Sequence, residues 1–381
     1  MAVGIQAHRQ TEIDRSVGCV AVEEVAVVMV GVGRRRVGDG YARLVNGEVV
    51  VAAEHNLTVA IIGRQAEHGT RRLPFSAMSP STYRKTSVVV LAALFAIVVT
   101  GAAVRLSGSG LGCSDWPNCN ASKFVDVSTV HGAIEQINRL FTGVVMAVVI
   151  VAVMGALRRR PRRRDLTMLA VLIAVGVPMQ GVVGAIVVLT HLNPFANQQH
   201  FLLSMVLVAL GAMLVRRSGE PDHALRSAAV TDRTRSGVRV VGVLTGLAVV
   251  TGTFVTGAGP HAGDETAKRF DVAISTVARV HGIAVMCAIA AAIVLLWRLR
   301  SAHADRAVLD NALTTWMVLA IAQAAVGYTQ YFTGVPVVLV AIHVALATGL
   351  WLATVQLWLS TSSAIAVPEL DDRQASTTLT R

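Results

Sequence analysis

Eight long apolar stretches decide what this chain can fold into. They run approximately over residues 87–105, 129–157, 166–190, 197–215, 238–257, 274–297, 312–332 and 335–359. A helix needs about 20 mostly apolar residues to cross a hydrocarbon core about 30 Å thick, and each stretch is close to that length or longer. Backbone groups in lipid must be satisfied inside a helix or a closed barrel. No alternating barrel pattern is visible, so the stretches are helices. The predicted fold is all-α: a polytopic membrane protein with eight transmembrane helices, several rich in Val, Ala and Gly that let helices pack closely.

Charge and composition agree. Of 381 residues, 54% are hydrophobic and 15% charged, which is too little charge for an ordinary soluble domain. The net charge of +11 does not indicate nucleic acid. The arginines sit in short runs between apolar stretches, and no polar domain is long enough to form a phosphate-binding groove. They instead set orientation. Arg158, Arg159, Arg160, Arg162, Arg163 and Arg164 join spans two and three. Arg216, Arg217, Arg226, Arg233, Arg235 and Arg239 join four and five, and Arg298, Arg300 and Arg306 follow six. The opposite loops hold only Lys123, Lys268 and Arg269. The positive-inside rule places the arginine runs and both termini in the cytoplasm, with the spans in the cell (plasma) membrane.

Residues 1–83 are an extension ahead of the first half. Its first 77 residues are Val-rich but interrupted by Glu23, Glu24 and Arg34 to Arg36, with no spanning stretch and no signal-peptide order. They read either as an over-called start upstream of Met78 or as a disordered cytoplasmic extension. No function is assigned to them. Residues 361–381 form a polar tail.

The membrane part carries an internal repeat. Gln180-Gly181-Val182-Val183-Gly184 precedes His200, and Gln323-Ala324-Ala325-Val326-Gly327 precedes His343. Gln to Gly is four residues and Gly to His sixteen in both. Val98-Val99-Thr100-Gly101 matches Val249-Val250-Thr251-Gly252, and Val130-His131-Gly132 matches Val280-His281-Gly282. The chain therefore reads as two tandem, pseudo-symmetric four-helix bundles, 84–217 and 238–360, joined by a cytoplasmic linker at 218–237.

Such a bundle suits a flat apolar cofactor held by axial side chains from facing helices. Ionisable groups in a membrane cost several kcal/mol unless paired or used. His281 and His343 fall on the second and fourth helices of one half, where they are predicted to be the two axial ligands of a b-type haem. His200 matches His343 in the other half. Its partner position is claimed by His131 in one alignment and by Asn138 in another, and these lie about 10 Å apart along a helix. With Asn138 in that slot the first-half site has one strong ligand, which suits a bound substrate.

Glu135 is the most expensive residue in the first half. Its readings are an ion pair with Arg139, an interfacial or packing role, or a proton-handling group beside a cofactor. Arg139 and Arg279 are candidate propionate donors. Cys113 and Cys119, in an outer loop rich in Gly and Pro, are expected to form a structural disulfide, with a redox-active pair as the alternative. Cys19 and Cys287 read as inert, and His261 as a surface residue.

The loop Gly108-Ser109-Gly110-Leu111-Gly112-Cys113-Ser114-Asp115-Trp116-Pro117-Asn118-Cys119, the stretch Glu135 to Arg139, the paired Gln-Gly-His spacing and the loop Gly259 to Asp264 resemble the haem A synthase family of bacteria and mitochondria. The resemblance covers 84–360. It implies an oxidoreductase that converts the C8 methyl of haem O to a formyl group, giving haem A for cytochrome c oxidase. It also implies haem b on His281 and His343, substrate haem O on His200, Glu135 as catalytic carboxylate and a Cys113–Cys119 pair. A haem O synthase (a farnesyltransferase) and cytochrome oxidase assembly factors are implied partners. Two departures stand out. Asn138 replaces the family's usual histidine, and the second outer loop lacks the cysteine pair of some relatives. Other functions weighed are a di-haem b-type electron carrier and a haem transporter or chaperone.

Overall fold

The computed structural model describes residues 77–222 and 224–366, together with seven short strands in the first 75 residues. Met1–Phe75 and Ser76–Arg381 are separate compact units. In the first unit, β1 (Glu12–Asp14) pairs with β4 (Arg34–Arg36). The other strands, β2 (Gly18–Val22), β3 (Val25–Met29), β5 (Gly40–Val45), β6 (Glu48–Ala53) and β7 (Ala60–Ile62), form a sheet in that order. The β5 and β6 strands are antiparallel with Val45 opposite Glu48, and between them stands Asn46-Gly47, the dipeptide favoured in tight hairpins. The Cys19 side chain lies outside the described residues.

The second unit consists mainly of eight helices: α1 (Pro80–Leu106), α2 (Val130–Arg158), α3 (Arg164–Leu189), α4 (Pro194–Ser218), α5 (Asp232–Ala258), α6 (Ile274–Leu299), α7 (His303–Phe332) and α8 (Val337–Leu359). All eight are long and apolar enough to cross a membrane, as the sequence predicts. The shortest has 23 residues and the longest 30. Several begin before the apolar pattern does: α1 at Pro80, α5 at Asp232 and α7 at His303. The starts of α1 and α5 are polar and capped by Ser79 and Thr231, whereas α7 opens without a side-chain cap. Ser79 and Thr129 accept from backbone N–H groups three residues on, at 3.2 and 3.0 Å. Asn193 accepts from Phe195 at 2.9 Å, and Pro80 and Pro194 open their helices without losing a needed donor.

Packing follows chain order. Helix α1 contacts α2 and α4, α2 contacts α3, and α3 contacts α4. Helix α5 contacts α6 and α8, α6 contacts α7, and α7 contacts α8. Helices α1 and α4 also meet α8, and α4 meets α5. One core gathers Tyr83, Val90, Ile173, Val208 and Leu214, with Trp351 and Leu352 of α8 packed against it. The other gathers Val241, Leu295, Leu309, Leu313 and Trp316, whose indole N–H donates to Thr354 at 2.9 Å. Large apolar side chains on the outside, such as Val182, Ile283 and Val243, suit a lipid surround.

The polar linker and tail also meet. The strand β8 (Ala224–Ala228) pairs antiparallel with β9 (Ser362–Ala366), which draws the two segments into one ribbon at the arginine-rich end. Beside it lies a network of Arg163, Arg226, Asp165 and Glu220.

Candidate functional site

His281 on α6 and His343 on α8 are half-buried and face one another, with ring centroids 6.4 Å apart and planes inclined at 77°. The His281 Nδ1 lies 3.0 Å from the Ala248 carbonyl and 3.3 Å from the Thr251 hydroxyl of α5. These contacts hold the ring through Nδ1 and leave Nε2 without a hydrogen bond among the described residues. One nitrogen of His343 lies 3.0 Å from the Gln323 amide, while its Nδ1 is buried with no hydrogen-bond partner.

Glycine makes room for both rings. A Cβ at Gly252 would lie 3.1 Å from His281 Cε1, and one at Gly327 only 2.9 Å from His343 Cε1. The glycines of the repeat thus have a physical reason. The pair passes a simple fit test for haem iron. With metal–imidazole bonds of about 2 Å, two axial rings on one iron have centroids about 6 Å apart. A buried, unpartnered imidazole nitrogen is costly unless something binds it.

The first half repeats this arrangement with one substitution. A Cβ at Gly184 would lie 3.4 Å from His200 Cε1, and His200 Nδ1 is likewise buried without a partner. Gln180 donates to the His200 carbonyl at 3.0 Å and to Ser204 at 2.6 Å, whereas Gln323 reaches the ring of His343. Thr100, the counterpart of Thr251, donates to the Asn138 side-chain oxygen at 2.8 Å. Thr251 approaches His281 in the same way, so of the two sequence alignments this contact favours Asn138 as the counterpart of His281. His131 sits a helical turn or two nearer the outer loop, where its Nδ1 is 2.9 Å from the Ser109 hydroxyl.

Glu135 and Arg139 clasp the outer loop. Glu135 is buried, with Oε2 accepting from the Cys113 backbone N–H at 2.7 Å. Its Oε1 accepts from Arg139 Nε at 3.0 Å and Nη2 at 2.7 Å. Arg139 Nη1 donates to the carbonyls of Asp115 and Asn118 at 3.0 and 3.2 Å. The loop so held is closed by the expected Cys113–Cys119 disulfide, both sulfurs being buried. Further along, the Ser128 hydroxyl and backbone N–H hold Asp126 down to about 2, so it stays ionised.

Other expected residues are placed apart. Arg279 is exposed and has no hydrogen bond or ion pair among the described residues. Cys287 is a free, exposed thiol. His261 is not simply superficial: its Nε2 is 2.8 Å from the Val335 carbonyl, and its own carbonyl accepts from Arg105 Nε at 2.7 Å. Arg105, which sequence reasoning overlooked, also donates to the Thr256 carbonyl at 2.7 Å and so ties α1 to the second half. Backbone acceptors leave no mark in a sequence, and the only signal was an arginine at the wrong end of an apolar span.

Eight helices long and apolar enough to cross a membrane define a polytopic membrane protein, with His281 and His343 paired on α6 and α8. The sequence matches the COX15-CtaA family, described as cytochrome oxidase assembly protein, over residues 84–128 and 124–355, and the chain belongs to that family. It is 31% identical over 146 residues to a protein of Geobacillus kaustophilus named Heme A synthase, covering 38% of this chain and 46% of that one. A Listeria welshimeri protein of the same name is 29% identical over 174 residues, 44% of this chain and 57% of its own length. One from Bacillus licheniformis is 26% identical over 171 residues, with 44% and 56% covered. The chain thus spans about half the length of the curated relatives it matches.

Proposed function

We propose that this protein is a haem A synthase, which oxidises the C8 methyl group of haem O to a formyl group. The observation that carries the reading is the His281–His343 pair, spaced 6.4 Å between centroids and relieved of steric crowding by Gly252 and Gly327. Membership of a cytochrome oxidase assembly family and the name shared by its relatives support the choice of reaction.

In this reading the duplicated membrane part works as two four-helix halves. His281 and His343 hold a b-type haem, which supplies electron transfer when bound. The Ala248 carbonyl orients His281, and Gln323 positions His343. Substrate haem O binds in the first half with His200 as one axial ligand. Asn138, bonded to Thr100, offers no imidazole to the opposite face. We assign His131 to the loop that it bonds rather than to the substrate iron. Glu135 is the proposed catalytic carboxylate. Arg139 and Cys113 fix its oxygens, so it can stabilise developing positive charge or orient water. Two successive hydroxylations, each consuming one dioxygen, two electrons from the reductant and two protons and releasing one water, would give a gem-diol, whose loss of water leaves the formyl group. Arg279, exposed and unpartnered, is the better placed of the two arginines to meet a propionate, since Arg139 is already committed to the loop.

The arginine-rich ends face the cytoplasm of a cell whose plasma membrane holds the spans. A farnesyltransferase making haem O and cytochrome oxidase assembly factors are the proposed partners. Asn138 in the Thr100 slot argues against a symmetric di-haem carrier, which needs four imidazoles. The test is incubation of the purified protein with haem O and a reductant in air, with mass analysis of the extracted porphyrin. Appearance of haem A supports the proposal, and haem O recovered unchanged from a haem b-loaded protein defeats it.

A further inference from the structure

At the arginine-rich end, remote from the histidines, a cavity of about 860 Å³ opens between the start of α1 and the end of α4. Its walls include Arg84, Lys85, Val88 and Val89 of α1, and Arg159, Glu220 and Asp222 from the adjoining loops. The charges in it are not balanced evenly. Glu220 is already held by Arg226 at 2.6 Å, with Arg163 at 3.8 Å and Arg216 at 3.9 Å. Asp222 is paired with Arg159. Arg84 and Lys85 are exposed and have no hydrogen bond or ion pair among the described residues. Arg159 is 1% exposed, and its Nε has no partner. The cavity therefore combines two unpaired cations, Arg84 and Lys85, with carboxylates that other arginines already hold.

The wall also changes character with depth. Val88 and Val89 are 48% and 52% exposed and follow Arg84 and Lys85 by four residues. At 1.5 Å per residue they lie about 6 Å further into the membrane. A ligand matching both levels is anionic at the end of the helix and apolar one turn below. We propose that this cavity is a binding site for one anionic phospholipid, its phosphate meeting Arg84 and Lys85 and an acyl chain lying along Val88 and Val89. Basic recesses between spans at the membrane surface favour anionic headgroups through charge, and the valines distinguish a lipid from a free anion. The proposal is independent of the reaction assigned above.

The test uses native mass spectrometry of the full chain, purified in detergent, with phosphatidylglycerol, phosphatidylcholine or inorganic phosphate added separately. One phosphatidylglycerol should be retained about tenfold more strongly than phosphatidylcholine, and the R84A/K85A double variant should lose that preference. Equal retention of the two lipids, or a preference unchanged in a folded variant, overturns the proposal. So does inorganic phosphate that displaces phosphatidylglycerol at equal concentration, since the site would then hold a small anion only. Should the variant fail to fold, the unaltered protein still decides the matter. A photoreactive phosphatidylglycerol should crosslink to residues 80–89 or 218–222, and crosslinks confined to other segments count against the site.

Discussion

Both oxygens of Glu135 are occupied by neighbours, one by the Cys113 N–H and the other by Arg139. The same carboxylate thus has a structural duty and a proposed chemical one, and two substitutions separate them. Glu135→Gln keeps an oxygen to accept from Cys113 but removes the charge. Glu135→Ala removes both. A chemical role predicts that each variant binds haem b normally and converts haem O at least about a hundredfold more slowly, in line with the usual contribution of a positioned acid–base group. A purely structural role predicts that the Gln variant keeps most of its activity while the Ala variant loses the ordered loop. Product formation per haem b distinguishes the two outcomes. The i, i+4 pair with Arg139 was legible in the sequence because helix geometry dictates it. The bond to the Cys113 backbone was not, because a main-chain donor has no residue type to announce it.

At the scale of helices, the repeat acquires a mechanical meaning. Helix α7 places Gly327 against His343, and α5 places Gly252 against His281, so each ring fits a notch in a neighbouring helix. Gly327→Ala would put a methyl 2.9 Å from His343 Cε1, closer than ordinary contact, and should displace the ring. We expect lower haem b occupancy in that variant and a shifted optical band. Gly181→Ala is the matched control, since nothing lies within 4 Å of its added carbon, and occupancy there should be unchanged. The helices themselves were legible because twenty apolar residues permit little else in lipid. The starts of α1, α2 and α4 were not, since Ser79, Thr129 and Asn193 set those ends through hydrogen bonds. In the first unit the Asn46-Gly47 dipeptide between Val-rich runs was the available sign of the β5–β6 pair.

For the whole molecule the central feature is asymmetry within a duplication. The two halves share Thr100 and Thr251, Gly184 and Gly327, and His200 and His343, yet differ at Asn138 and His281. The sequence left two candidates for that slot because a repeat can be aligned in more than one way. The contact from Thr100 to Asn138 favours one of them. Restoring the symmetry is therefore informative. Asn138→His should create a second paired-imidazole site, seen as a second low-spin haem signal by electron paramagnetic resonance, with slower conversion of haem O. A signal no different from that of the parent protein would argue against Asn138 as the counterpart of His281. Arg105, which donates from α1 to the carbonyls of Thr256 and His261, gives the halves a fixed relation at the loop end.

The claim on which the account rests is that one iron porphyrin lies between His281 and His343. The direct measurement is the reduced-minus-oxidised optical spectrum of the purified, folded protein beside those of His343→Ala and His200→Ala. The parent and His200→Ala should show a b-type band that His343→Ala lacks. A folded protein without any haem band, or a His343→Ala spectrum identical to that of the parent, would contradict the account.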